Sequence, residues 1–360
     1  MASGGAKLWG TRRATALAIV VLLVLVAISG YLAARAGPTR VRAALSGQPQ
    51  ATAPPPARLG GTPAASPAPS ASKPSAGATP APAAPRSPLS TTWLATHGQP
   101  AFDVRAQGAA LVDVDTGQVL WARDPDTPRP PASLAKLVTG MVVMDVASLD
   151  QQIPVTPDGD VQAAQREQPD STLMGLQAGE TLTVRELLYG LFLVSGNDAA
   201  FTLAAGTVGV PRFLDLMNGK AAALGMTHSH FASPAGGADN SGLYTSAADI
   251  AVAGAAIVAH YPALLQISGT PHMTLGQTAT HHPYDLDNIN RVVKPGQRYY
   301  YAGATGMKTA FTEGAGSCQV QTAQRGERRL VVALMHSENA LMGFDNARGL
   351  LDYGFSVNPG

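Results

Sequence analysis

Apolar and polar residues alternate with period two from Ala109 to Asp115, and no second long stretch of that kind appears before Gly306. The first alternation runs into a turn at Asp115-Thr116-Gly117, and Gln118–Arg123 returns from it, which predicts a β-hairpin. Between the two strand-like ends the texture is helical. Leu134, Leu137, Val138, Met141 and Val142 recur at spacings of three and four. Thr183 followed by Glu186 has the form of a capping box opening a helix through Leu187, Leu188, Leu191 and Phe192. Further helices are predicted over Pro211–Leu224 and over Ser246–Ala259, with Ser246 as the cap. Three consecutive strands are predicted at Gly306–Thr312, Ser317–Ala323 and Leu330–His336, followed by a helix over Leu341–Tyr353. Strands at both ends around a helical middle predict an α+β domain. Its antiparallel sheet is built from both ends of the sequence, with helices packed on its faces.

That domain occupies only residues 93–360. Residues 1–13 form a basic tail carrying Lys7, Arg12 and Arg13, and residues 14–34 are uncharged and apolar. A run of that kind matches the ~20 residues that cross a bilayer as a helix. A cleaved signal peptide is the competing reading, with Ala34-Arg35-Ala36 as its cleavage site, but the run exceeds the usual signal core and an anchor is favoured. The Arg12-Arg13 pair is read as a basic flank that keeps the tail cytoplasmic, not as a twin-arginine signal. Either way the remainder is expected outside the cytoplasm. Residues 35–92 are dominated by Pro, Ala, Ser, Gly and Thr, too poor in large apolar side chains to offset ordering entropy, and read as a semi-stiff tether. One cysteine, Cys318, excludes an internal disulfide and is expected to pack in a core strand. A formal net charge of +1 gives no electrostatic reason to expect nucleic acid as a partner.

Three short stretches carry chemistry. In Ser133-Leu134-Ala135-Lys136, a helix opening at the serine puts hydroxyl and amine on one face, and a desolvated lysine can serve as base for a serine nucleophile. Ser195-Gly196-Asn197 follows an apolar helical run; a turn at Gly196 would expose a hydroxyl able to relay a proton and an amide able to hold a peptide group. The plainer reading makes Asn197 a helix cap. In Lys308-Thr309-Ala310, strand geometry sends Lys308 and Ala310 to one face and Thr309 to the other, and an edge strand here could offer its backbone to an extended substrate. Each stretch alone is common; their ordered occurrence is not.

Together these stretches resemble the S-x-x-K, S-x-N and K-T-G elements of penicillin-recognising serine acyl-transferases. The span from Ala109 to Phe355 resembles the D-alanyl-D-alanine carboxypeptidase family of low-molecular-mass penicillin-binding proteins. Gly179–Val184, Leu187–Leu191, Asn290-Arg291, Thr305–Thr309 and Leu350–Phe355 add to the likeness. The resemblance implies a β-lactamase/transpeptidase-like fold and a peptidoglycan stem peptide as substrate, with β-lactams as acylating inhibitors. It makes Ser133 the nucleophile, Lys136 its base and Ser195 the proton shuttle. Asn197 would bind the substrate backbone, and Lys308 and Thr309 the terminal carboxylate. The backbone N–H groups of Ser133 and Phe311 would form the oxyanion hole. No metal or organic cofactor is implied, and the His281-His282 pair lacks helical ligand spacing.

Two positions depart from the family pattern. Ala310 stands where the third motif has glycine, and Gly343, ahead of Phe344, stands where an arginine is often found. Both lie on the recognition side, so acylation is expected to survive better than tight D-Ala-D-Ala recognition. The sequence ends soon after Phe355, without the small β-domain and amphipathic segment of many family members, and the N-terminal apolar run is expected to supply attachment instead. Two other functions compete with this one. A β-lactamase would need a deacylating base, but Glu167 lies between the first two motifs. A fold that has lost its chemistry, leaving a wall-binding or regulatory protein, draws its support from Ala310 and Gly343.

Overall fold

The computed structural model describes residues 99–157, 171–237 and 242–357. The apolar run, the Pro/Ala-rich segment and Glu167 lie outside the described residues. Among the described residues no single helix is long and apolar enough to cross a membrane.

The two ends of the domain meet in one five-stranded antiparallel sheet. Its strands are β1 (Ala106–Asp113), β2 (Val119–Arg123), β7 (Ala304–Thr312), β8 (Gly316–Arg325) and β9 (Arg328–Ser337), in the order β2-β1-β9-β8-β7. The joint between the ends is β1 against β9, from Ala106 opposite Ser337 to Asp113 opposite Leu330. β7 is therefore an edge strand. Two small two-stranded antiparallel sheets escape the period-two reading because their strands are three or four residues long: β3 (Gln152–Pro154) with β4 (Thr181–Thr183), and β5 (His272–Leu275) with β6 (Tyr284–Asp287).

Seven α-helices complete the described residues: α1 (Lys136–Val146), α2 (Val184–Leu193), α3 (Asn197–Thr207), α4 (Val210–Ala223), α5 (Ala247–His260), α6 (Pro262–Ser268) and α7 (Ala340–Ser356). The caps fall where the sequence puts them. Glu186 N–H donates to Thr183 Oγ1 at 3.2 Å while Thr183 N–H donates to Glu186 Oε2 at 2.7 Å, and Asp249 N–H donates to Ser246 Oγ at 3.1 Å. Observed bounds differ from the predicted ones by a residue or a few, as frayed ends do. α6, behind Pro262, is absent from the sequence reading.

The sheet separates two cores. One face holds Val112, Val320, Val331 and Ala333 against α1–α6; the other holds Leu111, Val332 and Leu334 against α7. α5 lies close over the first face because Gly254 has no side chain: a Cβ there would stand 3.0 Å from both Val320 and Val331. α1 is buried on every side from Lys136 to Val143. A helix that is apolar all round belongs at the centre of a domain, so its first residue, a lysine, is carried inside with it.

Candidate active site

Ser133 lies in a 3₁₀ turn, Ala132–Ala135, that leads directly into α1. Its entry is strained. Ala132 holds φ +46°, a left-handed conformation that residues with a Cβ seldom adopt. Gly236, at φ +78°, presses on the same turn; a Cβ there would sit 2.0 Å from the Ala132 carbonyl oxygen and 3.1 Å from Ser133 N. Thr139 Oγ1 donates to the Pro234 carbonyl at 2.6 Å, tying this Pro234–Gly236 loop to α1. No motif marks the loop in the sequence. The signal available was Gly236-Gly237 itself, a pair that permits backbone-to-backbone contact.

Lys136 is fully buried, and its Nζ has three neighbours: Ser133 Oγ at 2.9 Å, Asn197 Oδ1 at 2.6 Å and the Ala235 carbonyl at 2.6 Å. Burial pushes its proton affinity well below the ordinary lysine range, the charge of Lys308 pushes it further, and the buried Asp198 opposes both. A neutral amine has two hydrogens and one lone pair. Asn197 Oδ1 and Ala235 O can only accept and take the hydrogens. In the charged form all three contacts are donations from Nζ; once Lys136 loses a proton, the lone pair faces the Ser133 hydroxyl, which then donates to it.

The second motif is the turn between α2 and α3. Ser195 holds φ +62° and is nearly buried, and Gly196 N–H donates to the Gly190 carbonyl at 2.9 Å. Asn197 does not cap α3. Gly196 occupies the cap position, and the Asn197 amide turns inward to Lys136. Asp198, with no part in the sequence reading, proves central. It is 0% exposed, and its two oxygens accept four backbone N–H groups: Met174 at 2.8 Å, Gly175 at 2.8 Å, Leu176 at 3.0 Å and its neighbour Ala199 at 2.9 Å. The carboxylate thus fixes the segment before α2 to the start of α3.

The third motif lies on edge strand β7, beside the Ser133 turn. Lys308 is completely buried, donates to the Thr309 carbonyl at 2.7 Å, and is lowered by burial to about 7. Ala310 packs on the α1 side of the sheet, the face it shares with Lys308, and Cys318 lies directly opposite it on β8, buried in the core. Ser133, Ser195, Thr309, Ala310 and the exposed ring of Phe311 line one cleft of about 610 Å³, whose far wall is the first turn of α7. That volume suits a small peptide. Lys136, Asn197 and Lys308 stand behind its floor. His281 and His282 lie elsewhere, in a polar network with Glu180, Glu186 and Tyr284.

Residues 94–339 match the model of the D-alanyl-D-alanine carboxypeptidase family, Peptidase S11. A D-alanyl-D-alanine carboxypeptidase of Mycobacterium tuberculosis, DacB2, is 36% identical over 279 residues, covering 74% of this chain and 90% of the relative. The crystal structure of penicillin-binding protein 6B from Escherichia coli is 30% identical with a TM-score of 0.65, over 72% of this chain and 80% of that one. Penicillin-binding protein D2 of Listeria monocytogenes, solved with ampicillin bound, is 26% identical with a TM-score of 0.59, over 71% of this chain and all of that one. On its sequence and its fold, the chain belongs to the D-alanyl-D-alanine carboxypeptidase family of penicillin-binding proteins.

Proposed function

We propose that the protein is a serine D-Ala-D-Ala carboxypeptidase that removes the terminal D-alanine of peptidoglycan stem peptides through an acyl-enzyme at Ser133. The observation that carries this reading is the environment of Lys136 Nζ: completely buried, with two fixed acceptors and the serine hydroxyl as third neighbour. Ser133 Oγ attacks the carbonyl carbon of the penultimate D-alanine and its proton passes to Lys136. The oxyanion that develops is met by the N–H groups of Ser133 and Phe311. Ser195 relays a proton to the leaving amine, the C–N bond breaks, and D-alanine departs. Water then attacks the ester carbonyl and restores Ser133. Asn197 holds the substrate backbone, while Lys308 and Thr309 face its carboxylate end.

β-Lactams, which present an acylating carbonyl beside a carboxylate, enter by the same route; the ampicillin-bound Listeria relative supports this. The apolar run at residues 14–34 is proposed to hold the catalytic domain at the outer face of the cell membrane, with residues 35–92 as tether. Fractionation of cells producing the full chain, without and with detergent, tests that placement. The chemistry is tested by labelling the full chain and its Ser133→Ala variant with a fluorescent penicillin. A covalent label present in the first and absent from the second is expected. No label on a folded wild-type chain would refute the nucleophile and leave a binding protein without hydrolysis.

A further inference from the structure

The face of β7 and β8 turned toward α7 carries a chain of buried side-chain amides. Asn290 and Gln321, 1% and 0% exposed, exchange two hydrogen bonds: Asn290 Nδ2 donates to Gln321 Oε1 at 2.8 Å, and Gln321 Nε2 donates to Asn290 Oδ1 at 3.1 Å. Gln321 Nε2 gives its other hydrogen to Gln319 Oε1 at 2.8 Å. The Gln319 amide is therefore oriented: its oxygen faces Gln321 and its NH₂ group faces away. That NH₂ finds no acceptor among the described residues, although Gln319 is only 3% exposed. Instead it lies against Gly343 of α7, where a Cβ would stand 2.0 Å from it.

Gln319 sits directly opposite Thr309 in the β7–β8 register, so both side chains leave the sheet on the same face, and both line the cleft that holds Ser133. Ser337 Oγ, buried and without a hydrogen-bond partner, lies 3.6 Å from the same Gly343 Cβ position. A buried hydroxyl without a partner is uncommon in native structures, and here it borders one notch with the oriented amide of Gln319, a residue that lines the cleft. The group that completes such a set is an acceptor-only anion. Any residue larger than glycine at 343 would take the space the amide occupies.

We propose that the Gln319 amide, which the missing side chain of Gly343 lets stand at the cleft wall, binds the terminal carboxylate of the D-Ala-D-Ala substrate with the Thr309 hydroxyl beside it. The proposal rests on the carboxypeptidase reading and adds a specificity residue to it. Neutral donors take the place of a cation at this wall, and the carboxylate is recognised through oriented hydrogen bonds.

The test uses the full chain and a diacylated L-Lys-D-Ala-D-Ala tripeptide, beside its C-terminal carboxamide. Two variants are compared. Gln319→Met keeps the volume and removes the donors, and Gly343→Ala displaces the amide without altering the strand. In both, kcat/KM for the free acid is expected to fall about tenfold or more, the range of hydrogen bonds to a charged group, while the carboxamide changes by about twofold or less. Deacylation of the shared acyl-enzyme should not change, because the carboxylate has already left with D-alanine. An equal loss for acid and carboxamide, a slowed deacylation, or unchanged turnover of the acid in a folded variant would overturn the proposal. If Gln319→Met does not fold, Gly343→Ala decides alone. If wild type hydrolyses neither peptide and no penicillin labels Ser133, the carboxypeptidase reading fails first and the proposal falls with it.

Discussion

Replacing Asp198 by asparagine tests whether this silent carboxylate holds the site together. One Asp198 oxygen accepts from Met174 and Ala199, the other from Gly175 and Leu176. Asparagine keeps one acceptor oxygen, so either placement of its amide turns an NH₂ group toward two backbone N–H donors. Two hydrogen bonds to a charged group are lost, at ~1.5–3 kcal/mol each, and two buried donors are left facing a third. The expected destabilisation is about 3–6 kcal/mol, a lowering of Tm on the order of 10 °C for a domain of this size. Denaturant and thermal unfolding of the full chain measure it. A second effect separates this from simple loss of packing. Asp198 supports the charged form of Lys136, so removing its charge lowers the proton affinity of Lys136 further. The acidic limb of the pH profile for penicillin acylation should move to lower pH. A loss below about 1 kcal/mol together with an unmoved acidic limb would refute the assignment.

Other predictions follow from the same geometry. Burial leaves Lys308 protonated only below about pH 7, so kcat/KM for a D-Ala-D-Ala peptide should decline on the alkaline side of that value, and Lys308→Gln should abolish that limb. Stability obeys the same shift with a definite sign. At Lys308 the folded chain binds fewer protons than the unfolded one between about 7 and the ordinary lysine value of 10.5, so unfolding free energy should rise with pH across that window, by up to ~1.4 kcal/mol per unit from this residue; Lys136 adds a slope of the same sign, so denaturant titrations of wild type and Lys308→Gln at several pH values isolate this part, and equal slopes would refute the burial of Lys308. Tyr284 and Tyr301, held protonated by burial and by their carboxylate partners, oppose it only near pH 10 and above. Gly236→Ala should lower the rate of penicillin labelling at least about a hundredfold while leaving a folded protein, because the added Cβ displaces the Ser133 turn; labelling within tenfold of wild type would refute this. Ala310→Gly removes a methyl group from the cleft and should change turnover of a D-Ala-D-Ala peptide more than acylation by penicillin; unchanged turnover would remove Ala310 as a determinant of recognition.

Much of this architecture is legible in the sequence because its long elements obey simple periods. The hairpin β1–β2, the three C-terminal strands and the Thr183 capping box all emerge from alternation, helical spacing and one polar pair. The contact between Ser133 and Lys136 is equally local, a matter of three residues on one helical turn. What escapes is whatever depends on distant segments meeting. Asp198 has no part in the sequence reading, and only the fold shows that segment 174–176 comes to it. Asn197 reads as a substrate-binding amide or, more plainly, a helix cap; its acceptance of a hydrogen bond from Lys136 is a contact between α1 and α3 that no local pattern gives. Gln319 and Gln321 read as polar positions of a strand; their burial follows from α7 and Asn290 closing over that face.

Among the described helices, side-chain caps open some and are missing from others, α1, α3, α4 and α6. α2, α5 and α7 begin with side-chain caps from Thr183, Ser246 and Asn339. α1 begins with none: its cap position is Ala135, no acidic residue stands in its first turn, and its first residue is a lysine. The positive end of a helix is an unfavourable place for an ammonium group and a favourable one for a developing anion. Burial and the neighbouring Lys308 disfavour the same charge. All three influences drive Lys136 toward the neutral amine that a serine nucleophile requires, and only the buried Asp198 restrains them. The left-handed backbone at Ala132 and at Ser195 falls at the same place, one just before Ser133, the proposed nucleophile, and one within the second motif. A helix start optimised for stability would carry an Asp or Ser cap and an acidic first turn. An acidic residue there would raise the proton affinity of Lys136 and, on the proposed mechanism, leave Ser133 without its base. On the proposed mechanism, the uncapped start of α1 with no acid in its first turn therefore favours the neutral amine.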